Sequence, residues 1–300
     1  MKKQSLTSFL ARQNIGLILQ VYAHEERLIP ERIKMVQEFV ERALSVQHNG
    51  RNIISRIDIM VWADKKYADS DCGKTAAALE EVYPQHAKGN KVFITNFTDG
   101  DLFCSILNYG VAVQSRAKMD YSIIASSEAF SYFNQGTLEE MIITAQKGAL
   151  VVRVAINELT DSILHGRIYN TFAMWNNLWL QTYGGFDLEA ANPTDDKTGY
   201  FLRSSDPEKG EIIYSRAGVE EIRPLVRLVQ RRGQCLATIL PQGDGVRRYQ
   251  VPDPQQDKPD YDRHWQKIRT KKTRQDAQLA ALGCDELYLE FGIMPEYRII

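Results

Sequence analysis

The amino-acid sequence predicts an α/β fold in which a mostly parallel β-sheet is sandwiched by helices. Short, continuously apolar runs alternate with amphipathic helical patterns over the first half of the chain. Strands of that kind are typical of parallel sheets that are buried on both faces. The 300 residues are 44% hydrophobic and 25% charged, which is ordinary globular usage and excludes disorder, collagen and coiled coil.

The first half of the chain repeats a unit of strand, loop and helix. Because ligands bind at the carboxyl ends of the strands in such sheets, the loops after Val21, Trp62 and Ala125 are predicted to form the site. Strands are predicted at residues 15–21, 57–62, 92–95 and 121–125, and helices at residues 29–44, 75–82 and 102–113.

The second half continues the alternation of helices and strands. Thr137 and Glu140 form a predicted capping box at the start of one helix, and Gly184-Gly185 is the glycine signal that ends another. Helices are predicted at residues 137–147, 169–183 and 218–232, strands at 149–156 and 235–240, and a long polar loop at 187–211. A loop of that length is usually a lid or disordered.

Composition and motif spacing exclude several classes of protein. The formal net charge of −1 means that no overall field draws the chain to nucleic acid or to an anionic membrane. The uncharged stretch 168–186 has the length of a membrane span, but its asparagines exclude a bilayer helix. The cysteines have no zinc or disulfide spacing and residues 1–12 contain no secretory signal, so a cytoplasmic protein with reduced thiols is expected.

Motifs of common enzyme classes are incomplete or missing in the sequence. Gly73-Lys74-Thr75 is preceded by Ala68 where a phosphate-binding loop needs its first glycine. No Gly-x-Ser-x-Gly elbow and no histidine pair at metal-ligand spacing occurs. What remains is a set of acids at loops that face one sheet edge, namely Asp64, Glu128, Asp187, Glu220 and Glu221.

Six segments occur in a fixed order along residues 15–240. They are LILQVYAHEE (17–26), Asp64, GDLFCSILNYG (100–110), DYSII (120–124), GGFD (184–187) and GVEE (218–221) followed by Arg227. Taken together in this order, the segments resemble the inverting family-2 glycosyltransferases of the GT-A fold.

The resemblance implies a GT-A-like, Rossmann-like domain over residues 1–240. Residues 1–126 would form its nucleotide-binding half and residues 127–240 its acceptor half. Residues 241–300 are interpreted as a basic C-terminal extension, a tail, because 263–274 carries six basic side chains and no acid. That basic run is also what a solvated surface helix looks like.

The resemblance also implies roles for particular residues. Glycosyl transfer needs a carboxylate that takes the proton of the acceptor hydroxyl, and a cationic or dipolar group that stabilises the departing diphosphate. Glu221 is the candidate base and Glu220 the second choice, although a first-turn acid can also merely complement a helix dipole. The nucleotide sugar is assigned to Tyr22, Ala23, Glu25, Asp64, Asn108, Ser126, Ser127 and Glu128, and the acceptor side to Gly184, Gly185, Phe186, Asp187 and Trp175, with Trp175 or Trp179 as a sugar-stacking platform.

One departure from the family concerns the metal. Where the family has Asp-x-Asp, which binds Mg²⁺ or Mn²⁺, this chain has Ser126-Ser127-Glu128. Because hard divalent cations prefer several oxygen ligands, one carboxylate in place of two weakens the site. Three alternatives follow: Glu128 and His264 hold a metal, the basic run neutralises the diphosphate directly, or catalysis has been lost.

The sequence therefore predicts an enzyme that moves a sugar from a UDP- or GDP-sugar to a hydroxyl of a carbohydrate or other acceptor, with inversion. The alternative is a catalytically inactive nucleotide-binding or regulatory protein of the same fold. No nucleic-acid partner is expected, and peripheral membrane contact through the basic tail or exposed aromatics stays open. A nucleotidyltransferase is a distant option, because residues 20–26 lack its Gly-rich, basic loop.

Overall fold

The computed structural model of the protein describes most of the sheet and the helices that cover it. The described residues are 8, 13–22, 26, 29–62, 71–85, 87–97, 103–155, 172–188, 202–205, 212–215, 219–242, 275–276, 278–285 and 288–297. The first half contains β1 (Ile15–Tyr22), α1 (Ile29–Ser45), β2 (Gln47–His48), β3 (Arg51–Asn52), β4 (Ile54–Trp62), α2 (Asp71–Val82), β5 (Val92–Phe97), α3 (Phe103–Arg116) and β6 (Tyr121–Ala125).

The second half returns to the same sheet. It contains a 3-10 turn (Ser127–Tyr132), α4 (Gln135–Gln146), β7 (Val151–Val154), β8 (Phe172–Asn176), α5 (Asn177–Thr182), β9 (Leu202–Ser205), β10 (Ile212–Ser215), α6 (Ile222–Arg232), β11 (Leu236–Ile239) and two further 3-10 turns (Tyr288–Gly292 and Pro295–Tyr297).

The main sheet confirms the predicted fold class. It has seven strands in the order β11-β7-β8-β6-β1-β4-β5. Only β8 runs against its neighbours β6 and β7, whereas the other pairings are parallel. The carboxyl ends of β1, β4, β5 and β6 therefore lie at one edge, where the ligand of such a sheet is expected.

Alternate residues along the strands belong to two different apolar cores, one on each face of the sheet. In β1, Leu17 and Leu19 pack with α1, α2 and α4, whereas Ile18 packs with α3, α5 and α6 on the opposite face. Helices on both faces explain why the strands are continuously apolar. No helix in the described part of the chain has the length and apolarity that a membrane crossing requires.

A charged residue lies in the middle of this sheet. Asp58 of β4 is 1% exposed and accepts hydrogen bonds from the Arg56 guanidinium at 2.7–3.1 Å. It also accepts one from Gln114 Nε2 of α3 at 3.0 Å, and Ser122 Oγ of β6 donates to Gln114 Oε1 at 2.5 Å. The α3 helix is thus tied by polar contacts to two strands beneath it.

Three predicted elements differ from the observed ones. The predicted helix 169–183 is wrong, because β8 occupies 172–176 between β6 and β7 and only the short α5 follows. The predicted capping box is also wrong, since the N-cap of α4 is Asn134, whose side chain accepts from the Thr137 N–H at 3.0 Å. Within the predicted loop 187–211, residues 202–205 form β9, which pairs with β10.

The interpretation of the C-terminal extension as a tail is corrected for its described residues. Leu279 and Leu289 are fully buried in the core that contains α6. The Cys235 N–H donates to the Gly292 carbonyl at 2.9 Å, and Ile293 forms a parallel bridge with Leu236 of the edge strand β11. The basic run 263–274 lies outside the described residues, and the domain boundary at residue 240 remains a prediction.

Candidate functional site

Two polar side chains at the carboxyl edge of the sheet carry a buried polar atom that no other described residue hydrogen-bonds. The register of β1 with β6 pairs Leu19 with Ala125, which makes Gln20 and Ser126 neighbours beyond that pair. Gln20 Nε2 and Ser126 Oγ are both shielded from solvent, and neither has a hydrogen-bond partner among the residues that the structure describes. Buried polar groups are normally paired, so these two atoms are suited to contact a bound ligand. Sequence reasoning missed Gln20, which looks like an ordinary strand residue.

Ser126 connects β6 to the 3-10 turn that follows it. Its backbone is extended (φ −96, ψ 171), and the 3-10 turn Ser127–Tyr132 follows without a side-chain cap from Ser126. The hydroxyl is therefore free of any capping role. The side chains of Ser127 and Glu128 lie outside what the structure describes.

Two acidic segments that are distant in sequence meet on the α3 face of the sheet. The Asp187 N–H donates to the Glu220 carbonyl at 3.2 Å, which joins the loop after α5 to the loop before α6. Arg223 Nε of α6 lies 3.2 Å from Asp187 Oδ2. Asp187 is 3% exposed and Glu221 is 1% exposed, so two carboxylates are withdrawn from water at this junction.

Three acidic side chains lie close enough to the thiol of Cys104 to affect its pKa. Cys104 lies in the first turn of α3 and is fully buried. Burial is the first cause that raises the pKa of this thiol, and the charges of Glu220, Glu221 and Asp187 raise it further. The charges of three carboxylates therefore act on the Cys104 thiol at the start of α3. The sequence alone predicts only that these acids lie at the same sheet edge.

Cys104 and Cys235 are expected to resist alkylation by iodoacetamide in the native protein at about pH 8. Burial raises the pKa of the Cys235 thiol to about 12 and also raises that of Cys104, so the reactive thiolate is nearly absent. Cys284 is only partly buried and should react first. Timed labelling with peptide mass spectrometry checks this, with a urea-unfolded sample as control; native labelling of Cys104 as fast as Cys284 would contradict it.

Asn108 holds the Gly-Gly-Phe-Asp turn. Its Oδ1 accepts from the Phe186 N–H at 2.7 Å, and its Nδ2 donates to the Phe186 carbonyl at 2.9 Å. A Cβ on Gly185 would collide with Asn108 Oδ1, and Gly185 has a φ of +72, so glycine is required there on both counts. The structure gives Asn108 a positioning role in this turn, and its predicted contact with the nucleotide sugar stays a prediction.

Arg227 fixes the other end of the same turn. Its guanidinium donates to the Tyr183 carbonyl at 2.5 Å, directly before Gly184. A Cβ on Gly184 would lie 2.9 Å from that guanidinium, and Gly184 has a φ of +90. Helices α3 and α6 thus clamp the turn from both sides, which places Asp187 beside Glu220.

The predicted stacking role of Trp175 is contradicted by its burial. Trp175 is fully buried and packs edge-to-face with Phe186, with ring centroids 5.1 Å apart. A sugar needs an open ring face, and neither of these rings offers one, so both are core residues behind the turn. Trp179 is partly buried, with its ring stacked on Tyr183 and the Arg232 guanidinium 4.6 Å from the ring centroid.

Several predicted site residues lie outside the described part of the chain. These are Ala23, Glu25, Asp64 and His264, together with the side chain of Tyr22. Among the described residues, no group of three or more His, Cys, Asp or Glu side chains could hold a metal ion. Of the segment Ser126-Ser127-Glu128, the structure describes only the Ser126 side chain, and one hydroxyl alone does not fit a divalent cation.

This sheet order and its reversed strand define the GT-A-like class of α/β fold, and solved structures of that class superimpose on the chain. One is the mannosyltransferase PcManGT from Pyrobaculum calidifontis in complex with GDP-Man and Mn²⁺, which is 14% identical over 93% of this chain and 70% of that one, with a TM-score of 0.54. Another is glucosyl-3-phosphoglycerate synthase from Mycobacterium tuberculosis in complex with UDP, 10% identical over 93% and 83%, with a TM-score of 0.50. No protein-family model and no curated protein sequence matches the chain.

Proposed function

We propose that the protein is a glycosyltransferase that moves a sugar from a nucleotide diphosphate sugar to an acceptor hydroxyl, with inversion. The observation that carries this proposal is the hydrogen bond between the Asp187 N–H and the Glu220 carbonyl, which joins two loops whose acidic side chains Asp187 and Glu221 are buried. It is supported by a fold shared with two structures whose names include GDP-Man and UDP.

Glu221 is proposed as the general base. It is the N-cap residue of α6, but its side chain makes no capping hydrogen bond, so a purely helix-capping role does not account for it. Glu221 directly follows Glu220, whose carbonyl accepts a hydrogen bond from the Asp187 N–H. We therefore propose that its carboxylate lies next to the acceptor side and takes the proton of the acceptor hydroxyl.

The proposed reaction is a single displacement at the anomeric carbon. The acceptor oxygen attacks that carbon, and its proton passes to the Glu221 carboxylate. The bond from the anomeric carbon to the diphosphate oxygen breaks, so the nucleoside diphosphate leaves with the bonding electrons. Attack opposite to the leaving group inverts the configuration, and no covalent intermediate with the protein is formed.

The donor is proposed to bind at the carboxyl edge of β1, β4 and β6. Tyr22, Ala23, Glu25 and Asp64 would hold the nucleoside, and Ser126 to Glu128 would lie at the diphosphate. The Ser126 hydroxyl and the Gln20 amide nitrogen, which have no hydrogen-bond partner among the described residues, are suited to donate to phosphate oxygens. If a divalent cation is bound, Glu128 and His264 would hold it, and it would offset charge on the leaving diphosphate.

The acceptor is proposed to bind beside the Gly-Gly-Phe-Asp turn. The backbone of Gly184 and Gly185 and the Asp187 carboxylate would shape that side, whereas the buried Phe186 ring supports it from within. The proposed acceptor is a carbohydrate or another small hydroxyl compound. A basic group that faces the acids, Arg223, would keep Asp187 in place.

A donor screen tests the proposed function. The full chain is incubated with UDP- and GDP-sugars, with and without Mn²⁺, and release of the nucleoside diphosphate is measured. Release from one class of donor, faster than in Glu221→Gln, supports the proposal. If the wild type and Glu221→Gln are equally inert with every donor, glycosyl transfer is the wrong function.

The inactive alternative is favoured by one observation, which is the hydroxyl of Ser126 where the resembled family has a carboxylate. Calorimetry with UDP, GDP and Mn²⁺ separates the two proposals. Tight, metal-dependent binding of a nucleotide together with turnover of a donor sugar would count against an inactive protein. Nucleotide binding without turnover of any donor sugar would favour it.

A further inference from the structure

A glutamine of the C-terminal extension reaches into the acidic cluster. Gln278 is fully buried, although it lies in a segment whose sequence resembles a tail. Its Oε1 accepts a hydrogen bond from the Val219 N–H at 2.8 Å. Its Nε2 donates to Asp187 Oδ2 at 3.3 Å.

These two partners belong to the two loops that carry the acids. Val219 directly precedes Glu220 and Glu221, and Asp187 ends the Gly-Gly-Phe-Asp turn. The two loops also contact each other through the Asp187 N–H and the Glu220 carbonyl at 3.2 Å. Gln278 therefore closes a ring of hydrogen bonds that fixes the position of one acidic loop relative to the other.

The chemistry of the contact requires an amide. A side chain at this point must accept from a backbone N–H and donate to a carboxylate at the same time. An ionised glutamate cannot donate and a lysine cannot accept, whereas glutamine does both while uncharged. The next residue, Leu279, is fully buried in the core around α6, which anchors the amide where it stands.

We propose that Gln278 is a positioning residue, which holds Asp187 and the Glu220-Glu221 pair in the arrangement needed for transfer and so makes the C-terminal extension part of the active site. This inference rests on the proposed glycosyl transfer. It assigns to the extension a structural contribution to catalysis that is separate from any contact of the basic run with the diphosphate.

Two substitutions separate the two hydrogen bonds. Gln278→Met keeps the length of the side chain and removes both bonds. Gln278→Glu keeps the acceptor for the Val219 N–H and replaces the donor to Asp187 by a second carboxylate. Gln230→Met is the matched control, because Gln230 is an exposed residue of α6.

Kinetics and hydrogen exchange give independent readouts. In Gln278→Met, kcat is expected to fall roughly 10- to 100-fold because the acids lose their alignment, with the donor KM within about two-fold. Deuterium uptake of a peptide that covers residues 219–222 should accelerate in Gln278→Met and stay near the wild-type rate in Gln278→Glu. Gln230→Met should match the wild type in both measurements.

The results that would overturn the inference are distinct from failure of the proposed function. An active wild type with the same kcat in Gln278→Met and Gln230→Met would overturn it, as would unchanged uptake over residues 219–222. If the wild type turns over no donor, the proposed function fails, and uptake in Gln278→Met decides the positioning role by itself. If Gln278→Met does not fold, Gln278→Glu must show the fall in kcat with protection of Val219 retained.

Discussion

Glu221→Gln is expected to lower kcat for sugar transfer by roughly 10²–10⁴-fold, the usual contribution of a positioned general base. The amide has the size of the carboxylate but cannot take the proton of the acceptor hydroxyl. Glutamine also keeps the volume of this buried side chain, and no capping bond to α6 is lost. Steady-state kinetics with the donor found in the screen measure the effect.

The neighbouring acid gives a matched control for this substitution. Glu220 is less buried than Glu221, and its contact with Asp187 uses its backbone carbonyl, which Glu220→Gln leaves intact. Glu220→Gln should therefore lose much less activity, and both variants should bind the nucleoside diphosphate like the wild type in calorimetry. A larger loss in Glu220→Gln would move the role of base to Glu220, and loss of nucleotide binding in Glu221→Gln would contradict a purely catalytic role.

The sequence is sufficient to predict the sheet where strands are continuously apolar. The strands at Ile15–Tyr22 and Tyr121–Ala125 were found at the predicted positions, because burial on both faces leaves a simple signal in sequence. For residues 172–176, in contrast, the spacing of apolar residues predicts the wrong element. Phe172, Trp175 and Trp179 have helical spacing, yet pairing with β6 and β7 makes 172–176 a strand. In such short aromatic segments, pairing with neighbouring strands determines the structure more strongly than the local spacing of apolar residues does.

The site was predictable only as far as topology determines it. Loops that follow parallel strands meet at one edge, but Asp187 comes after the antiparallel strand β8 and α5, and Glu221 directly precedes α6. The contacts that fix them come from distant residues that carry no local signal. Gln278 is 91 positions from Asp187, and Asn108 is 78 positions from Phe186. A single polar residue in a helix looks like an exposed one until its partner is known.

Asp58→Ala is expected to destabilise the protein by about 3–5 kcal/mol, as breaking a buried charge pair from one side does. Asp58 is 1% exposed. Its removal leaves the Arg56 guanidinium, whose side chain is 18% exposed, without its carboxylate. Gln114 Nε2 loses one of its two acceptors and keeps the Leu17 carbonyl at 3.0 Å.

Urea unfolding measures this loss, with Glu38→Ala as the control because Glu38 is an exposed residue of α1. The control should stay within about 0.5 kcal/mol of the wild type, and equal midpoints for both variants would contradict a structural role for Asp58.

The Asp58→Ala substitution should also lower activity at the candidate functional site. Gln114 and Asn108 lie on the same helix, α3, so loosening its contact with β4 also loosens the clamp on Phe186. A folded Asp58→Ala protein should therefore transfer sugar more slowly than Glu38→Ala under conditions where both are fully folded.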